Sequence, residues 1–76
     1  MAVVGGGSWG TTVAHLVSHN ALTKLWCRDS EVAASINQYH KNLRYIPDFN
    51  LADNLKASVD LEEVLHDADI ALVAIP

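Results

Sequence analysis

Within VVGGGSWGT, residues 3 to 11, Gly5, Gly7 and Gly10 form the pattern G-x-G-x-x-G directly after a short apolar run. Glycines clustered like this weaken a helix or strand interior, so the segment is suited to close approach of bare backbone. Between a strand and a helix each glycine has a mechanical task. The first allows a tight bend, the second admits a pyrophosphate, and the third lets the helix pack on the strand. The amides of Ser8, Trp9 and Gly10 then face the phosphates at the positive end of the helix. The same glycines have the spacing of an ATP-type loop, but Thr11 and Thr12 stand where that loop needs Lys followed by Ser or Thr. Dinucleotide binding is the chemistry this segment supports.

In such a turn the nucleotide is discriminated at the end of the second strand, where this chain offers Arg28 and Asp29. An acid there bonds the ribose 2′-hydroxyl, and an arginine accepts a 2′-phosphate. Asp29 also suits the N-cap of the next helix. Arg28 either stacks on an adenine or pairs with the 2′-phosphate. The pair points to NAD or NADP as cofactor, with tolerance of both.

Other residues invite chemistry less strongly. His15 and His19 have metal-ligand spacing on one helix, but no third ligand stands nearby, and no metal site is expected. His19 in the last helical turn also favours the helix dipole. Cys27 reads as a small apolar strand residue rather than a nucleophile. Trp26 either packs the core or covers the adenine side. Trp9, inside the turn, lies either beside the cofactor or under the following loop. His40 and Tyr45 flank a loop, where side chains are freer to serve a site than in a core.

Positioning these groups requires alternating elements. Ala2 to Val4 reads as a buried strand ending at Gly5. A helix from Thr11 to His19 places Val13, Leu16 and Val17 on one face. Leu22 to Cys27 reads as a second strand. Asp29 caps a second helix, with Glu31 in its first turn and Val32, Ile36, Tyr39 and Leu43 recurring at helical steps. The segment YIPDFNLADN is loop, and Lys56 to Val59 suits a third strand. Asp60 caps a third helix with Glu63 at the capping-box position, and Leu61, Val64, Leu65 and Ala68 form its apolar stripe. IALVAI, residues 70 to 75, reads as a parallel strand covered on both faces. The expected fold is α/β, the first half of a Rossmann-type parallel sheet with strands in the order 3-2-1-4. An apolar fourth strand at the edge of a sheet is an aggregation hazard, so the chain reads as truncated.

Composition narrows the partners. The chain has 76 residues, half of them apolar, and a formal charge of −4 with only five Lys and Arg. Disorder and a nucleic-acid partner are both disfavoured. One cysteine allows no internal disulfide. No secretory signal and no apolar run of membrane-spanning length is evident, so a cytoplasmic protein is expected.

Taken together, the motifs resemble the bacterial NAD(P)-dependent glycerol-3-phosphate dehydrogenases. That family opens with G-A-G-S-W-G-T, and this chain has G-G-G-S-W-G-T from Gly5 to Thr11. The likeness continues through L-W-x-R at Leu25 to Arg28, I-N-x-x-H-x-N at Ile36 to Asn42 and R-Y-I-P at Arg44 to Pro47. It runs on through D-L-E-E-x-L at Asp60 to Leu65 and A-D-I-x-L-V-A-I-P at Ala68 to Pro76. The resemblance implies that Gly5, Gly7, Ser8, Trp9, Gly10, Arg28, Asp29 and Tyr45 contact the cofactor. It implies hydride transfer between sn-glycerol 3-phosphate and dihydroxyacetone phosphate, feeding phospholipid synthesis, in a complete enzyme that forms a homodimer. Residues 1–76 then form the N-terminal part of a dinucleotide-binding domain, without the substrate domain or the catalytic lysines. Lys24, Lys41 and Lys56 do not occupy those positions, so the 76 residues alone are expected not to turn over. Gly6, where the family usually has Ala, is expected to loosen the turn slightly.

Overall fold

The computed structural model describes residues 1–74. Strands β1 (Ala2–Val4), β2 (Thr23–Trp26), β3 (Leu55–Ser58) and β4 (Ala71–Val73) alternate with helices α1 (Ser8–Ser18), α2 (Ser30–Tyr39) and α3 (Leu61–Leu65). All pairings are parallel, in the order β3-β2-β1-β4, as the alternation predicts. Each residue of β1 is buried, because this strand has a neighbour on both sides and helices over both faces. Residue 75, the end of the predicted last strand, lies outside the described residues.

Strand alternation divides the core. Val3, Leu25 and Ala57 share a buried cluster with Ala14 of α1 and Val32, Ala33 and Ile36 of α2. Lys24 and Trp26 point to the other face. There Lys24 Nζ donates to the Glu63 carbonyl at 3.5 Å and Trp26 Nε1 to the Val59 carbonyl at 2.8 Å. Helices α1 and α2 therefore cover one face and α3 the other.

The predicted face of α1 is corrected. Gly10, Thr11, Ala14 and Ser18 are the buried residues, whereas Leu16 is 60% exposed. The helix lies so close to β1 that only small side chains fit between them. The two buried hydroxyls are paired locally, Thr11 Oγ1 to the Gly6 carbonyl at 3.3 Å and Ser18 Oγ to the His15 carbonyl at 2.7 Å. In α2 the apolar stripe holds for Val32 and Ile36 only. The helix stops at Tyr39 because His40 turns left-handed at φ 56°, leaving Tyr39 and Leu43 exposed.

Asp29 and Asp60 cap their helices as predicted, accepting from the Glu31 amide and from the Glu62 and Glu63 amides respectively. Glu63 closes its capping box indirectly: the Ser58 hydroxyl donates to Glu63 Oε2 and accepts from the Asp60 amide. Helix α3 ends at Leu65, so Ala68 falls in the following turn, and Val64 is its only buried residue. The expectation that the last strand is covered on both faces also fails. All three residues of β4 are exposed, since β4 pairs with β1 alone and no helix packs over it among the described residues.

The long loop between α2 and β3 returns to the core through Leu51, which is buried and whose amide donates to the His40 carbonyl at 2.7 Å. It is clasped to α1 at His15. The Ala52 amide donates to His15 Nδ1 at 3.1 Å, and the Phe49 ring meets the imidazole edge-on with centroids 4.7 Å apart. An accepting Nδ1 leaves the His15 proton on Nε2, where it donates to His19 Nε2 at 3.3 Å. The histidine pair is thus a hydrogen-bonded clasp.

Burial, and then the neighbouring His19, hold the His15 pKa below its ordinary 6.5. The unfolded chain therefore binds this proton more readily than the folded one. The clasp contributes fully above about pH 6.5 and is lost as pH falls below that value. Thermal unfolding followed from about pH 7 to about pH 5 should show a falling midpoint. His15→Asn, which keeps an acceptor near Nδ1 but cannot titrate, should flatten that fall, and an unchanged slope would contradict the assignment.

Candidate functional site

The glycine-rich segment connects β1 to α1 without a spare residue. Gly5 adopts φ 125°, a left-handed region that favours glycine, and its amide donates to the Trp26 carbonyl at 3.1 Å. Gly10 faces inward: a Cβ there would lie 1.7 Å from the Gly5 carbonyl oxygen. Gly7 faces outward, with no heavy atom within 4 Å of where its Cβ would stand. The second and third glycines of the motif therefore answer different demands, open space at Gly7 and helix–strand contact at Gly10.

Gly7 is the N-cap of α1, without a side-chain capping bond and with no acidic residue in the first turn. The first intrahelical bond runs from the Thr11 amide to the Gly7 carbonyl, at 3.0 Å. The amides of Ser8, Trp9 and Gly10 precede it at the positive end of the helix. Ser8 is exposed and Trp9 is 70% exposed, so the indole does not lie under a loop among the described residues.

Below this turn opens a cleft of about 890 Å³. One wall is Gly5, Gly6 and Gly7; the other is formed by the end of β2, the start of α2, and Arg44 with Tyr45 from the long loop. Of the sequence-predicted residues, Gly5, Gly7, Arg28, Asp29 and Tyr45 line it together. Ser8 and Trp9 stand outside the lining, and Gly10 is turned into the fold.

Asp29 is doubly engaged, accepting from the Glu31 amide at 2.8 Å and from Arg44 Nη1. Arg44 in turn lies over the Tyr45 ring, 5.5 Å from its centroid. Arg28 is exposed and makes no ion pair among the described residues. Of the cleft's charged groups, Arg28 is thus the one a bound anion meets unpaired. Trp26 lines the cleft while its ring nitrogen is held by the Val59 carbonyl.

Cys27 is buried, and burial, reinforced by the Asp29 carboxylate, pushes its thiol up to about 12. It is protonated at neutral pH, in keeping with an apolar role. Its Sγ would lie 2.7 Å, and its backbone Cα 3.2 Å, from a Cβ at residue 6. Gly6 accordingly makes room for Cys27, an account that a loosened turn does not supply.

Two asparagines, one in α2 and one in the loop that follows it, carry structure that their spacing in the sequence did not reveal. Asn37 bonds Ala57 twice, donating to its carbonyl and accepting from its amide, each at 2.8 Å, and so covers part of the β3 edge. Asn42, fully buried, joins the glycine turn to the loop that carries Tyr45. The polar type of Asn42 gives no sign of its burial, nor does that of Asn37 of its reach to β3, and only the recurrence of Asn in I-N-x-x-H-x-N marked these positions.

The whole chain, residues 1–76, matches the family described as NAD-dependent glycerol-3-phosphate dehydrogenase N-terminus. The chain belongs to that family. A glycerol-3-phosphate dehydrogenase [NAD(P)+] of Acinetobacter baumannii is 51% identical over all of this chain and 22% of its own length. A second, from Sphingopyxis alaskensis, is 46% identical, with all of this chain and 23% of the relative aligned. Among solved structures, glycerol-3-phosphate dehydrogenase from Saccharomyces cerevisiae superposes with a TM-score of 0.91 at 32% identity, over 99% of this chain and 25% of that one. The Coxiella burnetii enzyme gives 0.85 at 30% identity, over 95% and 22%. The chain therefore spans less than a quarter of the length of the curated relatives it matches. In this chain, the Rossmann-type order of the sheet sets the glycine turn at the carboxyl end of its central strand, β1. No helix among the described residues is long and apolar enough to cross a membrane.

Proposed function

We propose that these residues are the cofactor-binding portion of an oxidoreductase that interconverts sn-glycerol 3-phosphate and dihydroxyacetone phosphate with NAD or NADP. The observation that carries the reading is the cleft that joins an open glycine turn to an unpaired arginine. The pyrophosphate sits over Gly7 on the amides of Ser8, Trp9 and Gly10, where Gly7 offers no side chain to obstruct it. The adenosine lies along the end of β2, between Arg28 and Tyr45. Asp29 acts first as the helix cap and partner of Arg44, so it orients the Arg44–Tyr45 wall beside the ribose. The exposed Trp9 ring is free to rest on the bound dinucleotide.

The nicotinamide supplies the hydride that is exchanged with C2 of the substrate. This chain's residues bind and orient the cofactor, and none of them is assigned a catalytic role. Lys24 is engaged with the Glu63 carbonyl on the α3 face, Lys56 is exposed on β3, and neither these nor Lys41 line the cleft. We further infer a cytoplasmic homodimer for the complete enzyme; the free, buried Cys27 suits a reducing compartment. Its product, glycerol 3-phosphate, suits supply of phospholipid synthesis.

A fluorescence titration tests this, with excitation of Trp9 and Trp26 and energy transfer to reduced nicotinamide as the signal. NADPH and NADH should both bind. Arg28→Ala should weaken NADPH by about 10- to 100-fold, the value of a charge-assisted bond, and change NADH by less than about threefold. Equal losses for the two would remove the 2′-phosphate role. No transfer from a folded sample would remove the site.

A further inference from the structure

We propose that Asn42 is a positioning residue that sets the separation of the two walls of the cleft. The inference rests on the cofactor-binding reading above and assigns a task to a residue outside the cleft lining. Asn42 is fully buried, yet each polar atom of its amide is used. Nδ2 donates to the Gly6 carbonyl at 2.9 Å and to Thr11 Oγ1 at 2.8 Å. Oδ1 accepts from the Tyr45 amide at 3.1 Å. The Thr11 hydroxyl closes the arrangement by donating to the same Gly6 carbonyl at 3.3 Å.

One planar amide therefore spans from the phosphate-facing turn to the loop that carries Arg44 and Tyr45. The donors go to the turn and the acceptor goes to the loop, so the side chain fits in a single orientation. A buried amide with all partners made is rigid, and losing any one leaves a desolvated group behind. The Asn42 backbone carbonyl also receives the Ile46 amide at 3.0 Å, which folds the loop back on itself. A dinucleotide bound between these walls would read their spacing along its length without touching Asn42.

The test uses the full chain, with circular dichroism first showing that each variant is folded at the working temperature. Asn42→Ala should raise the Kd of NADH and of NADPH by the same factor, about tenfold, since a small displacement of binding groups has effects of that order. Arg28→Ala, in contrast, acts on NADPH alone. If Asn42→Ala does not fold, Asn42→Asp and Thr11→Val serve. The first keeps the acceptor for Tyr45 but sets a carboxylate oxygen against the Gly6 carbonyl, and the second removes only the hydroxyl.

Amide NMR spectra of the ligand-free protein provide a readout independent of the cofactor. Either variant should shift resonances of Gly5 to Gly10 and of Arg44 to Ile46 together. Unchanged Kd values in a folded Asn42 variant would overturn the positioning role, as would shifts confined to one wall. If the wild-type chain binds neither dinucleotide, the cofactor reading falls, and the paired shifts alone decide whether Asn42 couples the walls.

Discussion

Gly10→Ala is expected to abolish the native fold. Helix propensity alone argues the reverse, because alanine stabilises a helix interior by about 1 kcal/mol relative to glycine. The local geometry overrides it. A Cβ at residue 10 would stand 1.7 Å from the Gly5 carbonyl oxygen and 2.9 Å from its carbon, which are backbone atoms that cannot rotate away. Helix α1 would have to lift off β1, opening the contacts of Thr11, Ala14 and Ser18 in turn. A loss of about 4 kcal/mol or more follows. A 76-residue domain holds only about 4–11 kcal/mol in total. Far-ultraviolet circular dichroism with thermal unfolding checks this, and a folded variant with a raised midpoint would refute the close-packing account.

Gly7→Asp should do the opposite to the fold and remove the cofactor. Gly7 has φ −74° and ψ −172°, extended backbone open to any residue, and nothing occupies the space beside it. An aspartate there supplies the N-cap that α1 lacks, accepting from the helix's first amides and meeting its positive end. A gain of about 0.5–1 kcal/mol is expected. The same carboxylate would occupy the amides assigned to the pyrophosphate and set a negative charge against it. Repulsion between unit charges some 4 Å apart is of the order of 4 kcal/mol near a protein surface. Affinity for NADH and NADPH should fall by about 100-fold or more while the melting temperature rises. Undiminished binding by this variant would mean that the phosphates lie elsewhere.

The two substitutions separate functions that the G-x-G-x-x-G pattern merges. The spacing shows that backbone must be bare at three positions, and it does so correctly. It does not say what approaches each. Only the folded chain shows the Gly5 carbonyl against Gly10 and open solvent against Gly7. Gly6 extends the point, since the atom that excludes a side chain there is the sulfur of Cys27, the residue just after the neighbouring strand β2.

Local rules worked where the cause is local. The caps Asp29 and Asp60 bind amides two or three residues along the chain, so their type and position were sufficient to find them. The alternation of strands and helices led to the order β3-β2-β1-β4, because right-handed crossovers leave little choice. The face of α1 was missed for the complementary reason. Hydrophobic periodicity selects Val13, Leu16 and Val17, but the distance from helix to sheet, set by Gly10, admits only small residues.

By itself, then, the sequence determined the α/β class, the strand order, the two aspartate caps, the glycine turn at the end of the first strand and the family to which they belong. Each follows from contacts between near neighbours or from chain connectivity. Tertiary structure decided the buried face of α1, the clasp at His15, the pairing of Asp29 with Arg44 that leaves Arg28 free, and the amide of Asn42 joining the glycine turn to the Tyr45 loop. Those depend on which distant segments meet and at what distance. Packing sets that distance, and residue spacing along the chain does not encode it.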